Sequence, residues 1–209
     1  MPSKKSESKR ALPDRSPAQR VIQAARRQFF AHGFRTVSMD DLAAELGMSK
    51  KTLYAHFPGK QKLVQAVLFA KAEEIETDLS QLSRADVSTV ESSLHRLLEC
   101  LQRHTAEIQP AFVRDIARET PELFQLIEHR RRELISRHFG ALFEKGRKAG
   151  MIRSDIPTHL IIEILLGAVQ AIMNPPKLTA LGLTVETGYS SIIRVILEGV
   201  LKHGARVSA

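Results

Sequence analysis

The chain has 209 residues, 43% of them hydrophobic, and a formal net charge of +8. That apolar content builds a real core and excludes a disordered chain, and no run of about 18 uncharged apolar residues is present to cross a bilayer. The single cysteine, Cys100, excludes an internal disulfide and fits a reducing, cytoplasmic setting; the polar start "MPSKKSESKRALPDRSP" does not read as a secretion signal.

The charge is unevenly placed. Residues 1–65 carry thirteen Lys and Arg against five Asp and Glu, which leaves +8, and residues 66–209 carry eighteen of each, which leaves zero. A cationic first third in front of a neutral remainder points to a polyanionic partner. Charge alone does not choose among DNA, RNA and anionic lipid.

Residues 1–16 are rich in Ser, Lys, Arg and Pro and are expected to form a flexible basic tail. From Pro17, Ala18, Val21, Ile22, Ala25 and Phe29 recur at three- and four-residue spacing, which predicts a helix that Gly33 ends. Ser38 and Asp41 form a capping-box pattern for a short helix with Leu42, Ala43 and Leu46 on its apolar side. Gly47 stops it, and Ser49 caps a second short helix carrying Leu53, Tyr54 and Phe57. Pro58 and Gly59 then turn the chain into a longer helix over 60–82. Further helices are predicted over 88–108, 111–118, 121–148 behind a Thr120–Pro121 cap, 157–174 and 184–203. Asn174, Pro175 and Pro176 terminate the 157–174 helix. No stretch reads as paired strands, so the fold is predicted to be all-α.

Two short helices about a glycine turn form a helix-turn-helix. Ala43 lets the helices cross closely, Gly47 supplies a left-handed turn, and Leu53 locks the second helix to the first. Lys50, Lys51, Thr52, Tyr54 and His56 project from the second helix, where such side chains meet base edges and phosphates.

The stretch "FFAHGFRTVSMDDLAAELGMSKKTLYAHFPGKQKLVQAV" resembles the DNA-binding domain of the TetR family of bacterial transcriptional regulators. The likeness covers residues 17–65 and includes Gly33–Phe34, "SMDDLA" and "GMSKKTLYAHF" in fixed register. It implies a three-helix DNA-binding domain over 17–62, joined through helix four to a helical effector-binding and dimerisation domain over 63–209. Carried onto this chain, it implies DNA contacts from Thr36, Ser38, Lys50, Lys51, Thr52, Tyr54, His56 and Lys60. The second helix departs from many relatives in carrying two lysines, Lys50 and Lys51, where they have a lysine and a small residue.

The neutral remainder is less specific. The 157–174 helix is apolar nearly all round and needs cover on more than one side. A homodimer is therefore expected, with Ile161, Leu165, Ala168, Ile172, Tyr189, Ile192, Ile193, Ile196 and Val200 at a four-helix interface. An apolar effector cavity is expected from Phe112, Ile116, Phe124 and Ile127 with His104 and Arg131 as polar anchors. His95, Glu99, Cys100 and His104 are helical neighbours that one stripe does not gather, so neither a metal nor a cofactor is expected. No nucleophile–base set or phosphate loop is visible, so the protein is not expected to be an enzyme. The expected partners are an operator on double-stranded DNA, a second copy and a small-molecule effector, with no membrane. The expected function is repression relieved by that effector. An architectural or partner-recruiting DNA-binding protein without an effector is the alternative, and a helical-domain enzyme a distant one.

Overall fold

The computed structural model describes residues 16–84, 89–173 and 175–200. The expected basic tail up to Arg15, Ser88 of the predicted 88–108 helix, Asn174, and residues 201–203 of the last predicted helix lie outside the described residues. Ten helices are described: α1 (Pro17–His32), α2 (Met39–Glu45), α3 (Lys50–His56), α4 (Lys60–Arg84), α5 (Val90–Ala106), α6 (Pro110–Glu119), α7 (Pro121–Lys148), α8 (Thr158–Ile172), α9 (Pro175–Ala180) and α10 (Val185–Val200). There is no extended strand among the described residues.

Local chemistry sets the early boundaries. Ser16 and Gln19 form a reciprocal capping box at α1, and Ser38 and Asp41 form another at α2. The Ser38 hydrogen bonds hold the Asp41 carboxyl below its ordinary pKa. Gly33 ends α1 at φ 90°, where an added Cβ would also meet Asp115 Oδ2 at 2.9 Å. Two later boundaries differ from expectation. Thr120 precedes α7 without a side-chain cap, because its hydroxyl donates to Ile116 O at 3.1 Å. The chain after α8 re-forms one short helix, α9, which starts on Pro175, since a proline fits the first helical turn as readily as it breaks an interior one.

The chain divides into two compact units. The first comprises the residues up to Val67 together with 109–115, and the second comprises 68–108 and the residues from Ile116. The division thus falls five residues beyond the expected 62/63 boundary, and it places a short downstream segment with the N-terminal helices.

The first unit packs Val21, Ala24, Ala25, Phe29 and Phe30 of α1 with Leu42, Ala43, Leu53, Leu63, Val64 and Val67, all buried. Phe112 joins this core, its ring centroid 4.9 Å from Phe30. Backbone bonds tie the segment in: Gln109 N–H donates to Phe30 O at 3.0 Å and Arg35 N–H donates to Asp115 Oδ2 at 2.9 Å.

The second unit is a helical bundle. Leu79 of α4, Leu94, Leu97 and Leu98 of α5, Ile135, Phe139 and Phe143 of α7, Ile161, Ile162 and Leu165 of α8 and Ile192, Ile193, Ile196 and Leu197 of α10 form one buried cluster. Gly146 permits a close approach on α7, since a Cβ there would lie 2.8 Å from Ile152 and 2.9 Å from Val90.

Candidate DNA-binding site and helical-unit cavity

The α2–turn–α3 segment is built by short-range bonds. Gly47 takes φ 61°, its N–H donates to Ala44 O and the next N–H, of Met48, donates to Ala43 O at 3.0 Å. This left-handed cap turns the chain within four residues. Ser49 then caps α3, accepting from Thr52 N–H at 3.1 Å, and the two hydroxyls lie 2.8 Å apart. Leu53 is fully buried and Phe57 nearly so, which fixes the rotation of α3 about its axis. Burying a leucine fully is worth about 1.5–3 kcal/mol, enough to hold so short a helix in register. Arg27 and Gln28 of α1 both donate to Glu45 at the end of α2, at 2.9 and 2.8 Å.

The opposite face of α3 is open. Lys50, Lys51, Thr52, Tyr54 and His56 are all exposed. Lys50 Nζ donates to Asp40 Oδ2 at 2.6 Å, and this bond raises the Lys50 pKa. Lys60 Nζ lies 4.4 Å from the centroid of the Phe34 ring and donates to Arg35 O at 3.3 Å. Thr36 donates its hydroxyl to His32 O at 2.7 Å.

The helical unit holds a buried ionic network. Lys71, 4% exposed, donates to His104 Nδ1 at 2.9 Å and pairs with Glu107. On its other nitrogen, Nε2, His104 meets Asp78 Oδ2 at 2.8 Å. With Lys71 donating to Nδ1, the imidazole proton sits on Nε2 and is given to Asp78. Asp78, Cys100 and His104 place their ligand atoms within 4.8 Å of one another. The Lys71 ammonium against the same imidazole opposes a divalent cation there, and burial pushes the Cys100 thiol up, away from the thiolate a metal needs.

A cavity of about 240 Å³ lies among α4, α5 and α7, with Leu82, Val90, Leu97, Leu142 and Met151 as apolar walls. Ser83, Thr89, Ser93, Arg96, His138 and Lys145 supply its polar atoms. His138 is buried, with Nδ1 2.9 Å from Ser83 Oγ and Nε2 3.3 Å from Glu76 Oε1. Ser83 gives its hydroxyl proton to Leu79 O at 2.8 Å, as a mid-helix serine does. A second, wholly different depression of about 180 Å³ is lined by Ile156, Ile161, Ile164, Val195, Ile196, Gly199 and Val200.

Comparison with known proteins bears on the α2–α3 segment first. The model of the family described as "Bacterial regulatory proteins, tetR family" matches residues 21–67, the whole of α2 and α3 and their flanks. The first unit carries a TetR-family DNA-binding domain. The HTH-type transcriptional repressor SCO4008 of Streptomyces coelicolor is 28% identical over 70% of the chain and 73% of its own length. The HTH-type transcriptional regulator TtgW of Pseudomonas putida is 33% identical over 34% of the chain. The chain spans about half the length of TtgW (54%) and under a third of SrpR from the same species (29%). Among solved structures, a TetR-family regulator from Mesorhizobium loti has a TM-score of 0.68 at 22% identity, covering 88% of this chain and 96% of that one. A transcriptional regulator from Saccharomonospora viridis in complex with choline has a TM-score of 0.72 at 19% identity, covering 89% and 98%. These two likenesses are of fold.

The expected DNA contacts lie together on the first unit. Lys51, Tyr54 and His56 are open, whereas Lys50, Thr52, Ser38, Thr36 and Lys60 already make bonds within the unit. The expected effector set is not brought together. Phe112 is core of the first unit, against Phe30, while the other five lie in the second. His104 is committed to Lys71 and Asp78, and Arg131 to Glu128 at 2.7 Å. Ile116 is buried, Phe124 and Ile127 are half-buried, and none of the six lines either cavity described above. Of the expected interface residues, Ile161, Leu165, Ile192, Ile193, Ile196 and Val200 are buried within the chain's own core. Ile161, Ile196 and Val200 among them also floor the second depression. Ala168, Ile172 and Tyr189 are half-buried, and burial raises the Tyr189 pKa. The exposed apolar residues on the same helices are Leu160 at 45%, Ile164 at 52% and Val195 at 73%, and the expected interface set contained none of the three. The cavity residues Arg96, Lys145 and His138 left no sequence signal, because the void depends on the spacing of three helices and not on any local pattern.

Proposed function

We propose that the protein is a homodimeric transcriptional regulator that represses from a pseudo-palindromic operator and is released by a small molecule held in the helical unit. The observation that carries this is the α2–α3 geometry. A buried Leu53 side faces the domain, and an open face carries Lys51, Tyr54 and His56. Lysine can reach guanine acceptors or a phosphate, and the tyrosine and histidine can donate to phosphate oxygens. The family match over residues 21–67 supports the same role for this segment. No helix among the described residues is long and apolar enough to cross a membrane, which fits action on DNA in the cytoplasm.

The dimer reading rests on a second observation. Leu160 and Ile164 of α8 and Val195 of α10 are open, and Ile164 and Val195 share an apolar depression floored by Ile161 and Ile196. Gly199 continues that strip along α10. A self-complementary apolar strip on two helices suits a two-fold axis. Such a dimer would present two recognition helices about 34–36 Å apart to successive major grooves. An effector then acts by favouring one spacing over another, with α4 and α6 both running from one unit into the other.

The test is selection of binding sites from random duplex DNA by the full-length protein, followed by gel shifts on the recovered sequence. A pseudo-palindrome bound with a log–log salt slope of about −0.9 per neutralised phosphate is expected. Folded protein that recovers no sequence, or binds with no salt dependence, would overturn the proposal.

A further inference from the structure

We propose that the cavity among α4, α5 and α7 binds a small amphipathic carboxylate. This inference rests on the effector-responsive reading above and names the chemical class and the seat of the effector.

The volume sets the size. At about 240 Å³ the cavity lies below the roughly 300–1,000 Å³ of drug-sized sites, so its occupant is compact. The walls set the body of the ligand: Leu82, Val90, Leu97, Leu142 and Met151 require an apolar portion.

The charge sets the head group. Arg96 and Lys145 both line the cavity, and among the described residues no carboxylate lines it. Neither cation has an ion pair among the described residues. Elsewhere in the same unit Arg131, Arg137, Arg147 and Arg153 are each paired with an acid. Two cations at one cavity without an intervening anion repel, and a bound carboxylate relieves both.

Backbone electrostatics add to this from a different source. Thr89, Val90 and Ser93 bring the cap and first turn of α5 to the cavity, and the start of a helix carries partial positive charge. The carboxyl end of α7 also borders the cavity through Ala149. Its Lys145 and Arg147 carbonyls accept from Ala149 N–H, and Arg147 O also accepts from Gly150 N–H, so they are already engaged. Glu91, in the same first turn of α5, does not line the cavity.

The same lining excludes the opposite class. A quaternary cation such as choline needs carboxylates or an aromatic cage, and the described lining supplies neither. A neutral occupant would gain nothing from Arg96 and Lys145, which are both exposed and remain solvated.

The experiment uses the full-length protein with octanoate and 3-phenylpropanoate as probes. Octan-1-ol and octylammonium serve as neutral and cationic controls with an equivalent body. Calorimetric titration and thermal shift are both read, since a ligand of the folded state raises Tm by mass action. A saturable carboxylate, bound at least tenfold more tightly than the alcohol or the ammonium, is expected. Arg96→Gln and Lys145→Gln should each weaken it about tenfold while leaving the unliganded Tm unchanged. Equal binding of the alcohol, no saturable binding of either carboxylate, or undiminished binding to the R96Q/K145Q double variant would each overturn the inference. Gel shifts on the selected DNA separate it from the reading it rests on. Carboxylate binding that leaves DNA affinity unchanged supports the seat and refutes the effector role. Carboxylate-driven DNA release that persists in the double variant refutes this seat and supports the effector role.

Discussion

Lys71→Met tests whether the buried network of the helical unit is held by its ammonium. Lys71 is 4% exposed and donates to His104 Nδ1 at 2.9 Å while pairing with Glu107. Methionine keeps the length of the side chain and removes three donors, so packing is nearly conserved and the change is electrostatic. Removing one partner of a fully buried pair costs about 3–5 kcal/mol. The Glu107 side chain is 37% exposed and regains water when its partner leaves, which lowers the expectation to about 2–3 kcal/mol. At about 2–4 °C per kcal/mol for a chain of this size, Tm should fall by roughly 5–10 °C. Circular dichroism melts at pH 7 read it, with urea unfolding as the check that the slope is unchanged. The Lys71→Met, Glu107→Leu double variant should recover part of the loss, because it no longer leaves a part-buried carboxylate without its ammonium. A single-variant shift under 2 °C, or a double variant no better than the single, would refute the account.

Lys51→Ala should weaken binding to the selected DNA several-fold and reduce the salt slope by about 0.9, as loss of one phosphate contact does; gel shifts at several salt concentrations measure both. Val195→Glu puts a charge on a side chain that is 73% exposed, so it should leave the helical spectrum intact and turn a dimer into a monomer by sedimentation. Asp41→Asn tests the α2 capping box. The folded Asp41 pKa is depressed by its Ser38 bonds, so its contribution is present above the unfolded carboxylate value, near pH 3.9, and is lost as pH falls below it. The variant should therefore show a shallower loss of stability than the parent between about pH 5 and 2 in urea titrations.

The α2–α3 segment was legible in the sequence because its determinants lie within a few residues of one another. Ser38 finds Asp41, Gly47 meets only the steric demand of φ 61°, and Ser49 finds Thr52. Phe112 was misassigned because its partner, Phe30, is distant in sequence, and no periodicity within α6 records which unit its aromatic ring joins. The open side of the expected interface helices was hidden for a related reason. A helix apolar on all sides, like α8, reveals that several surfaces must be covered, but Ile161 and Leu160 look alike until α7 and α10 occupy one side. The short helix α9 was hidden by reading Pro175–Pro176 only as a stop.

The Lys50–Asp40 bond gives α3 an internal competitor. Asp40 offers Lys50 a carboxylate oxygen at 2.6 Å, the position and charge that a phosphate or a guanine acceptor would otherwise supply. Both side chains are more than half exposed, so water screens the pair and its hold on Lys50 is weak. Any duplex that recruits Lys50 must first outbid that neighbour. A sequence presenting a well-placed acceptor meets the requirement at small cost, whereas a passing stretch of backbone gains less from this lysine than its bare charge would predict. An acidic residue in the first turn of α2 thus acts as a threshold on how readily the basic face commits itself.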